Sequence, residues 1–377
     1  MASIGNTAIG AWSGGRVLPH FGIPLQDARL EALLRPGADI CTVITADVYG
    51  EGFADLAVGR ALQGLPRDDF VLVSAIGHDF LKGERQGSGG YPRFTDPSLR
   101  RPDAYRDYLY GAVEANLERL QQDHLDLFLL HNPDRIGYTS EVVWRAMTDL
   151  RDEGLTSMLG IAPGPANGFS LDIIGCVERF GTEMDWAMII LNPFEPWPGS
   201  YVLPACEKHH VKVLARVVDY GGIFHGDLPD EDDLLEGDHR RYRPPGWVAT
   251  GRQRLAEVQP IADRHGLTLL QLACQWTLAQ QAVHSVVPTF IQENGDHKTV
   301  EEQRAELGAV PEEILLTPDE IAEMTRLGDN KGSIPLKGGT PAHRGEQRPD
   351  SWPMAPDLDA IAARWGINPD RDLVELV

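Results

Sequence analysis

The chain has 377 residues, 42% of them hydrophobic, with a formal net charge of −22 and an isoelectric point near 4.9. That length supports a large core, read as one catalytic domain plus an appendage, and so acidic a balance excludes a nucleic-acid backbone, whose binders need basic patches. The first dozen residues lack the basic and apolar regions of a secretion signal, and no run is long enough for a membrane span, so a cytoplasmic protein facing a small-molecule substrate is expected.

A short first strand is predicted near NTAIGAW, and apolar runs follow at 39–46, 70–76, 125–131, 157–162, 186–191, 211–217 and 284–289. Each is apolar on both faces, as a buried parallel strand must be. Amphipathic helices are predicted between them over 104–122, 141–154, 170–181 and 269–281, with Gly154 and Gly181 at C-cap positions. Strands alternating with helices eight times define an α/β chain, a (β/α)8 TIM barrel with long βα loops, over 1–328, followed by a C-terminal extension over 329–377. Three segments exceed ordinary loop length: 77–102, the stretch 219–247 with its acidic run DLPDEDDLLEGD, and the tail, whose Trp352 is expected either to cover the barrel mouth or to stay solvated. Cys41, Cys176, Cys206 and Cys274 form no CxxC pair and are expected as free, buried thiols.

In such a barrel the chemistry sits at the C-terminal strand ends. These ends carry Asp47 and Tyr49, His78 and Asp79, His131 with Asn132 and Asp134, Asn192 and Glu195, Arg216 and Asp219, and Thr289. Tyr49, His131 and Asp47 are the catalytic candidates; His78, Asp79, Asn132, Glu195, Arg216, Asp219 and Trp352 are the substrate-binding candidates. A divalent ion could draw on His78, His131, Asp79 or Glu195, but no H-x-x-x-H spacing marks a site and the adjacent His209 and His210 point apart, so no metal is expected.

The segments TADVYGEG, PRDDFVLVS, LERLQQDHLDLFLLHNPD, WRAMTDLRDEGLTSMLGI and LLQLACQWTLAQQAVHSVVP, in this order, resemble the aldo-keto reductase superfamily from about residue 5 to 328. The resemblance implies an active site of an aspartate, a proton-donating tyrosine, a lysine that lowers the phenol's pKa and a substrate-orienting histidine. Tyr49 matches the tyrosine and His131 the histidine; the aspartate position is Ile44 and the lysine position Ala75. Asp47 lies three residues from Ile44, an offset that turns it to the other face of an extended strand. Without a lysine ammonium, Tyr49 should titrate no lower than its ordinary value of about 10 and remain a neutral donor, leaving His131 as the better general base.

The family's nicotinamide contacts are also replaced. The resemblance puts Ala162-Pro163 at the amide clamp, Leu191 at the glutamine, Arg216 at the stacking tyrosine and Thr289 in the phosphate loop, with Lys298 the remaining cation. The preferred expectation is therefore a cofactor-independent lyase or isomerase acting by acid–base chemistry on a keto-sugar-type carbonyl compound. The first alternative is a divergent NADPH-dependent reductase; the second is a non-catalytic binding protein. A homo-oligomer is left open.

Overall fold

The computed structural model describes residues 3–18, 21–85, 90–164 and 166–375, so positions 86–89 of the 77–102 insertion lie outside the described residues. Eight strands, β1 (Ala8–Gly10), β2 (Thr42–Ala46), β3 (Val71–Ile76), β4 (Leu125–His131), β5 (Thr156–Ala162), β6 (Trp186–Ile190), β7 (Lys212–Arg216) and β8 (Val283–Val287), form one sheet in chain order. Parallel pairing sets Ile9 opposite Val43, Ala75 opposite Leu129 and His131 opposite Ala162, and a parallel bridge joins Thr7 to Val286. Every residue of β2, β3 and β4 is buried, which accords with their largely apolar sequences. This is the (β/α)8 arrangement.

The helices that alternate with these strands are α1 (Asp27–Leu34), α2 (Phe53–Leu62), α3 (Tyr105–Leu120), α4 (Arg135–Thr139), α5 (Glu141–Asp152), α6 (Ser170–Phe180), α7 (Leu203–Lys208), α8 (Trp247–His265) and α9 (Leu269–Leu278). In α5 the Ser140 hydroxyl caps the Val143 amide, and Val143, Trp144, Met147 and Leu150 put one apolar stripe into the core. Gly154 takes φ 81° after α5, the left-handed geometry expected past a helix end. Gly181 does not: its φ is −65°, and what it supplies is space, since a Cβ there would come within 2.5 Å of the Val177 carbonyl oxygen. Two further helices, α10 (Val300–Gly308) and α11 (Pro318–Leu327), each open on a reciprocal Thr–Glu capping box, Thr299 with Glu302 and Thr317 with Glu320.

The chain groups into two compact units. The first comprises Met1–Leu72, Leu191–Pro196 and Ala215–Asp329; the second comprises Val73–Ile190, Trp197–Leu214 and Asn330–Val377. Within the second, the tail forms a parallel pair of short strands, β9 (Gly338–Thr340) and β10 (Ser351–Pro353), and then α12 (Pro356–Arg364), which packs on α6, and α13 (Pro369–Asp372). All four cysteines are free; three are buried and Cys41 is half-buried. Among the described residues no helix is long and apolar enough to cross a membrane.

Candidate active site

In the first unit, β2 delivers Asp47 and Tyr49 into the turn before α2. Tyr49 lies edge-on to Trp12, with ring centroids 6.3 Å apart, and the Trp12 indole donates to the Thr289 hydroxyl at 3.2 Å. Gly10 makes room for that indole, because a Cβ on it would sit 2.3 Å from the ring. Burial raises the Tyr49 phenol above its usual value; the Arg216 guanidinium pulls it down and the Asp47 carboxylate pushes it further up. Tyr49 is therefore a protonated donor at neutral pH. Asp47 is buried at 2% exposure and opposes ionisation of the phenol, and Ile44 is buried in the core. A carboxylate the sequence did not single out, Asp55 on α2, is fully buried and accepts a 2.8 Å bond from the Thr45 hydroxyl.

Other rim candidates of this unit are tied to neighbours. Asp219 accepts from the Gly222 and Thr289 amides, each at 2.8 Å, and so holds the β7-following turn to the end of β8. Glu195 is buried beside Arg243 at 3.5 Å. Arg240 is buried between Asp238 and Glu293, which fixes the 219–247 segment to the segment after β8. Of the acidic run, Glu231 accepts from the amides of Gly246 and Val248 and so caps α8 from a distance.

In the second unit, β3 and β4 end on a histidine pair, with the rings of His78 and His131 at 5.2 Å and 71°. Gly77 permits the approach, since a Cβ there would lie 2.1 Å from the His131 carbonyl oxygen. His78 Nδ1 is 2.7 Å from the Tyr91 carbonyl oxygen and so carries the proton; Nε2 then accepts from the Asn132 amide at 3.1 Å. Asn132, at a left-handed φ of 45°, is held from the other side by Arg93, whose Nε donates to its carbonyl oxygen. Asp79 is fully buried, paired with Arg100 and bonded to the amides of Leu81 and Lys82. Asp134 caps α4 through the Gly137 amide and accepts from the Thr95 hydroxyl. Trp352 is buried at 1% exposure against Tyr138 and Phe169, and its indole nitrogen donates to Asp172 at 2.9 Å. The contacts of His78, Asp79, Asp219 and Trp352 are thus internal ones. Among the described residues no group of three or more His, Cys, Asp or Glu is placed to hold a metal ion.

Burial, and then the charge of Arg93, pushes His78 down to about 3. An unfolded imidazole takes a proton near 6.5 and the folded one only near 3, so the unfolded state binds more protons in that window. Stability should therefore fall as pH drops from about 6.5 towards 3, by up to roughly 1.4 kcal/mol per pH unit from this group. Chemical denaturation of His78→Gln at several pH values is expected to give a shallower acid slope than wild type; equal slopes would remove His78 from the account.

A dinucleotide needs donors for its phosphates. After β8 the amides of Thr289, Phe290 and Ile291 are already bonded to Asp219, Ser13 and Gln303, and Lys298 gives its ammonium to the His225 carbonyl and to Glu306, both at 2.7 Å. Beside them a cavity of about 550 Å³ is lined by Gly226, Asp227, Arg252, Asn294 and His297 among others. Arg252 pairs with Asp230 there, but with side-chain exposures of 48% and 67% the pair is weak and exchangeable. The lining also carries Asp230 and Asp233, Arg252 donates further to the Leu228 carbonyl at 2.6 Å, and His297 Nδ1 is bonded to the Asp227 carbonyl at 2.7 Å, so this acidic cavity does not fit a dinucleotide's phosphates.

Eight parallel strands alternating with helices, with Tyr49 following β2 and His131 ending β4, define a (β/α)8 barrel. The sequence model of the aldo/keto reductase family matches residues 28–329, and the chain belongs to that family. It is similar to the D-threo-aldose 1-dehydrogenase of a Pseudomonas species, 26% identical over 275 residues, 68% of this chain and 78% of that one. Among solved structures it resembles the glycerol dehydrogenase of Gluconobacter oxydans (TM-score 0.63, 22% identity, covering 86% of this chain and 92% of that one). An aldo/keto reductase of Klebsiella pneumoniae in complex with NADP and acetate also matches (TM-score 0.56, 20% identity, covering 86% and 92%). These relatives correct the expectation that no cofactor is used: a neighbour of the same fold holds NADP. They also favour the reductase alternative over the lyase or isomerase. The error came from weighing single side chains at strand ends, whereas a dinucleotide lies along many loop contacts that a few substitutions do not abolish.

Proposed function

We propose that the chain is a divergent aldo/keto reductase, an oxidoreductase that interconverts the carbonyl and alcohol forms of a small polyhydroxylated molecule with a nicotinamide dinucleotide. The observation that carries this reading is the protonated, mostly buried phenol of Tyr49 at the end of β2 in a chain of this family. The names of the relatives, an aldose dehydrogenase and a glycerol dehydrogenase, support the polyhydroxylated substrate class. Bound, the dinucleotide would supply or accept the hydride. Tyr49 gives its hydroxyl proton to the carbonyl oxygen as that oxygen gains charge, and takes it back in the oxidative direction. The family resemblance gives His131 the substrate-orienting role, and the neighbouring Asn132 is fixed by His78 and Arg93.

The test is titration of the protein with reduced and oxidised dinucleotides by tryptophan fluorescence, followed by assay of aldoses and glycerol through the absorbance of the reduced nicotinamide. Micromolar binding with turnover of a polyol or aldose is expected. Absence of binding up to millimolar dinucleotide would overturn the proposal.

A further inference from the structure

Resting on the reductase reading above, we propose that Arg93 is a positioning residue for the His131 corner of the site and that Asp350 of the tail holds it there, so that the C-terminal extension completes the end of β4. None of the segments that carry the family resemblance includes either residue.

Asn132, directly after His131, has both backbone groups and its side-chain amide engaged. Its N–H donates to the Ala162 carbonyl of β5 at 2.8 Å, its carbonyl oxygen accepts from Arg93 Nε, and its side-chain amide donates to His78 Nε2 at 3.1 Å. Its φ of 45° is a conformation that costs energy and lasts only where neighbours impose it. One of those anchors belongs to the sheet; the other two meet at Arg93. The guanidinium lies 3.3 Å from His78 Nδ1, the nitrogen that donates to the Tyr91 carbonyl, and so opposes a second proton on that ring. A neutral His78 keeps Nε2 able to accept from Asn132, and its ring meets His131 edge-on with centroids at 5.2 Å. Arg93 therefore fixes the residue after His131 directly, and the ring beside His131 through His78.

The 77–102 insertion brings Arg93 to this place by doubling back. The Asp79 amide donates to the Pro92 carbonyl and the Phe94 amide to the Gly77 carbonyl, both at 2.9 Å, with His78 and Arg93 bridged antiparallel between them. A guanidinium with a side chain only 4% exposed needs a counter-charge, and Asp350 supplies it at 3.3 Å. Asp134 bears on the same cation, but its oxygens accept from the Gly137 amide and the Thr95 hydroxyl. Asp350 is presented from a closed turn: its carbonyl accepts from the Gly338 amide at 2.9 Å, and Arg348 and Ser351 on either side bond each other's backbone at 2.7 and 3.2 Å. Lys337, at the start of β9, in turn donates to the Asn167 carbonyl at 3.0 Å and accepts from the Phe169 amide at 2.9 Å. The tail is thus docked by backbone bonds, and its carboxylate reaches the cation that fixes the end of β4.

The experiment reads the two rings. The protein is prepared with isotope-labelled histidine, and the ring nitrogen signals of His78 and His131 are identified by their loss in His78→Gln and His131→Gln. In the wild type, His78 should show the pattern of a neutral ring protonated on Nδ1. Asp350→Ala should move the signals of both rings, Arg93→Gln should move them further, and Asp350→Glu should return them towards wild type. In the assay of the carbonyl substrate, Asp350→Ala should raise KM about tenfold, the loss of one charge-assisted hydrogen bond, with kcat and dinucleotide affinity within a few-fold of wild type. Melting curves identify any variant that fails to fold, and the partly exposed Asp350 keeps the test open if the arginine variant does. His131 signals unmoved in folded Asp350→Ala, signals not returned by glutamate, or an unchanged KM beside measurable turnover overturns the proposal. Because the ring signals need neither substrate nor dinucleotide, they are decided separately from the reductase reading, which falls on the binding and turnover assays instead.

Discussion

Replacing Tyr49 by phenylalanine is expected to lower turnover of a carbonyl substrate by about 10² to 10⁴, the range for loss of a general acid, while leaving dinucleotide affinity within a few-fold. The substitution removes one oxygen and keeps the ring packed edge-on against Trp12, so folding should be unaffected. The neighbouring acids do not offer an equivalent proton. Asp47 is an antagonist of the phenolate, and Asp55 is buried under the Thr45 hydroxyl. Because the phenol lies above its ordinary pKa, the acid form should be fully populated through neutral pH, and reduction should decline only on the alkaline side. Steady-state kinetics set beside a fluorescence titration separate the two quantities. A Tyr49→Phe enzyme that keeps turnover within a few-fold of wild type would move the proton donor elsewhere.

The strands were legible because most read as largely apolar runs; β4, which the sequence bounds at 125–131, is buried along its whole length. Strand-end position and family spacing agree on Tyr49 and His131, and the structure places one just after β2 and the other at the end of β4. What the sequence hid is pairing over long separations. Arg93 meets Asp350 and Arg240 meets Glu293, and nothing local marks those partners. In the acidic run at 227–238, which the sequence marks only as part of an over-long loop, Asp238 is buried against Arg240 and Glu231 caps α8. His78 and Asp79 stand where catalytic side chains stand in this fold, and one is a neutral clamp on Asn132 while the other closes a turn with Arg100. Strand-end position tells which residues are near the chemistry, but not which are already satisfied by their neighbours.

The tail provides the second large effect, and its consequence reaches the site. Trp352→Ala is expected to destabilise the folded chain by roughly 3–5 kcal/mol, the usual cost of emptying a buried indole site. The indole lies against Tyr138 and Phe169 and supplies one of the donors that keep the fully buried Asp172 satisfied, the others being the Gly339 amide and Arg135. Burial alone raises the Asp172 carboxyl, so loss of a donor leaves the charge poorly compensated as well as opening a cavity. Two residues before Trp352, Asp350 pairs with Arg93 at 3.3 Å, and Arg93 holds the Asn132 carbonyl next to His131. Loosening β10 should therefore disturb Asn132 before the chain unfolds, and the KM for substrate should rise in Trp352→Ala at temperatures where it is still folded. Trp352→Phe fills most of the space without the donor and should fall between the two. Urea unfolding measures the first effect and steady-state kinetics the second. A loss below about 1 kcal/mol would mean that the tail is held by α12 on α6 rather than by the indole.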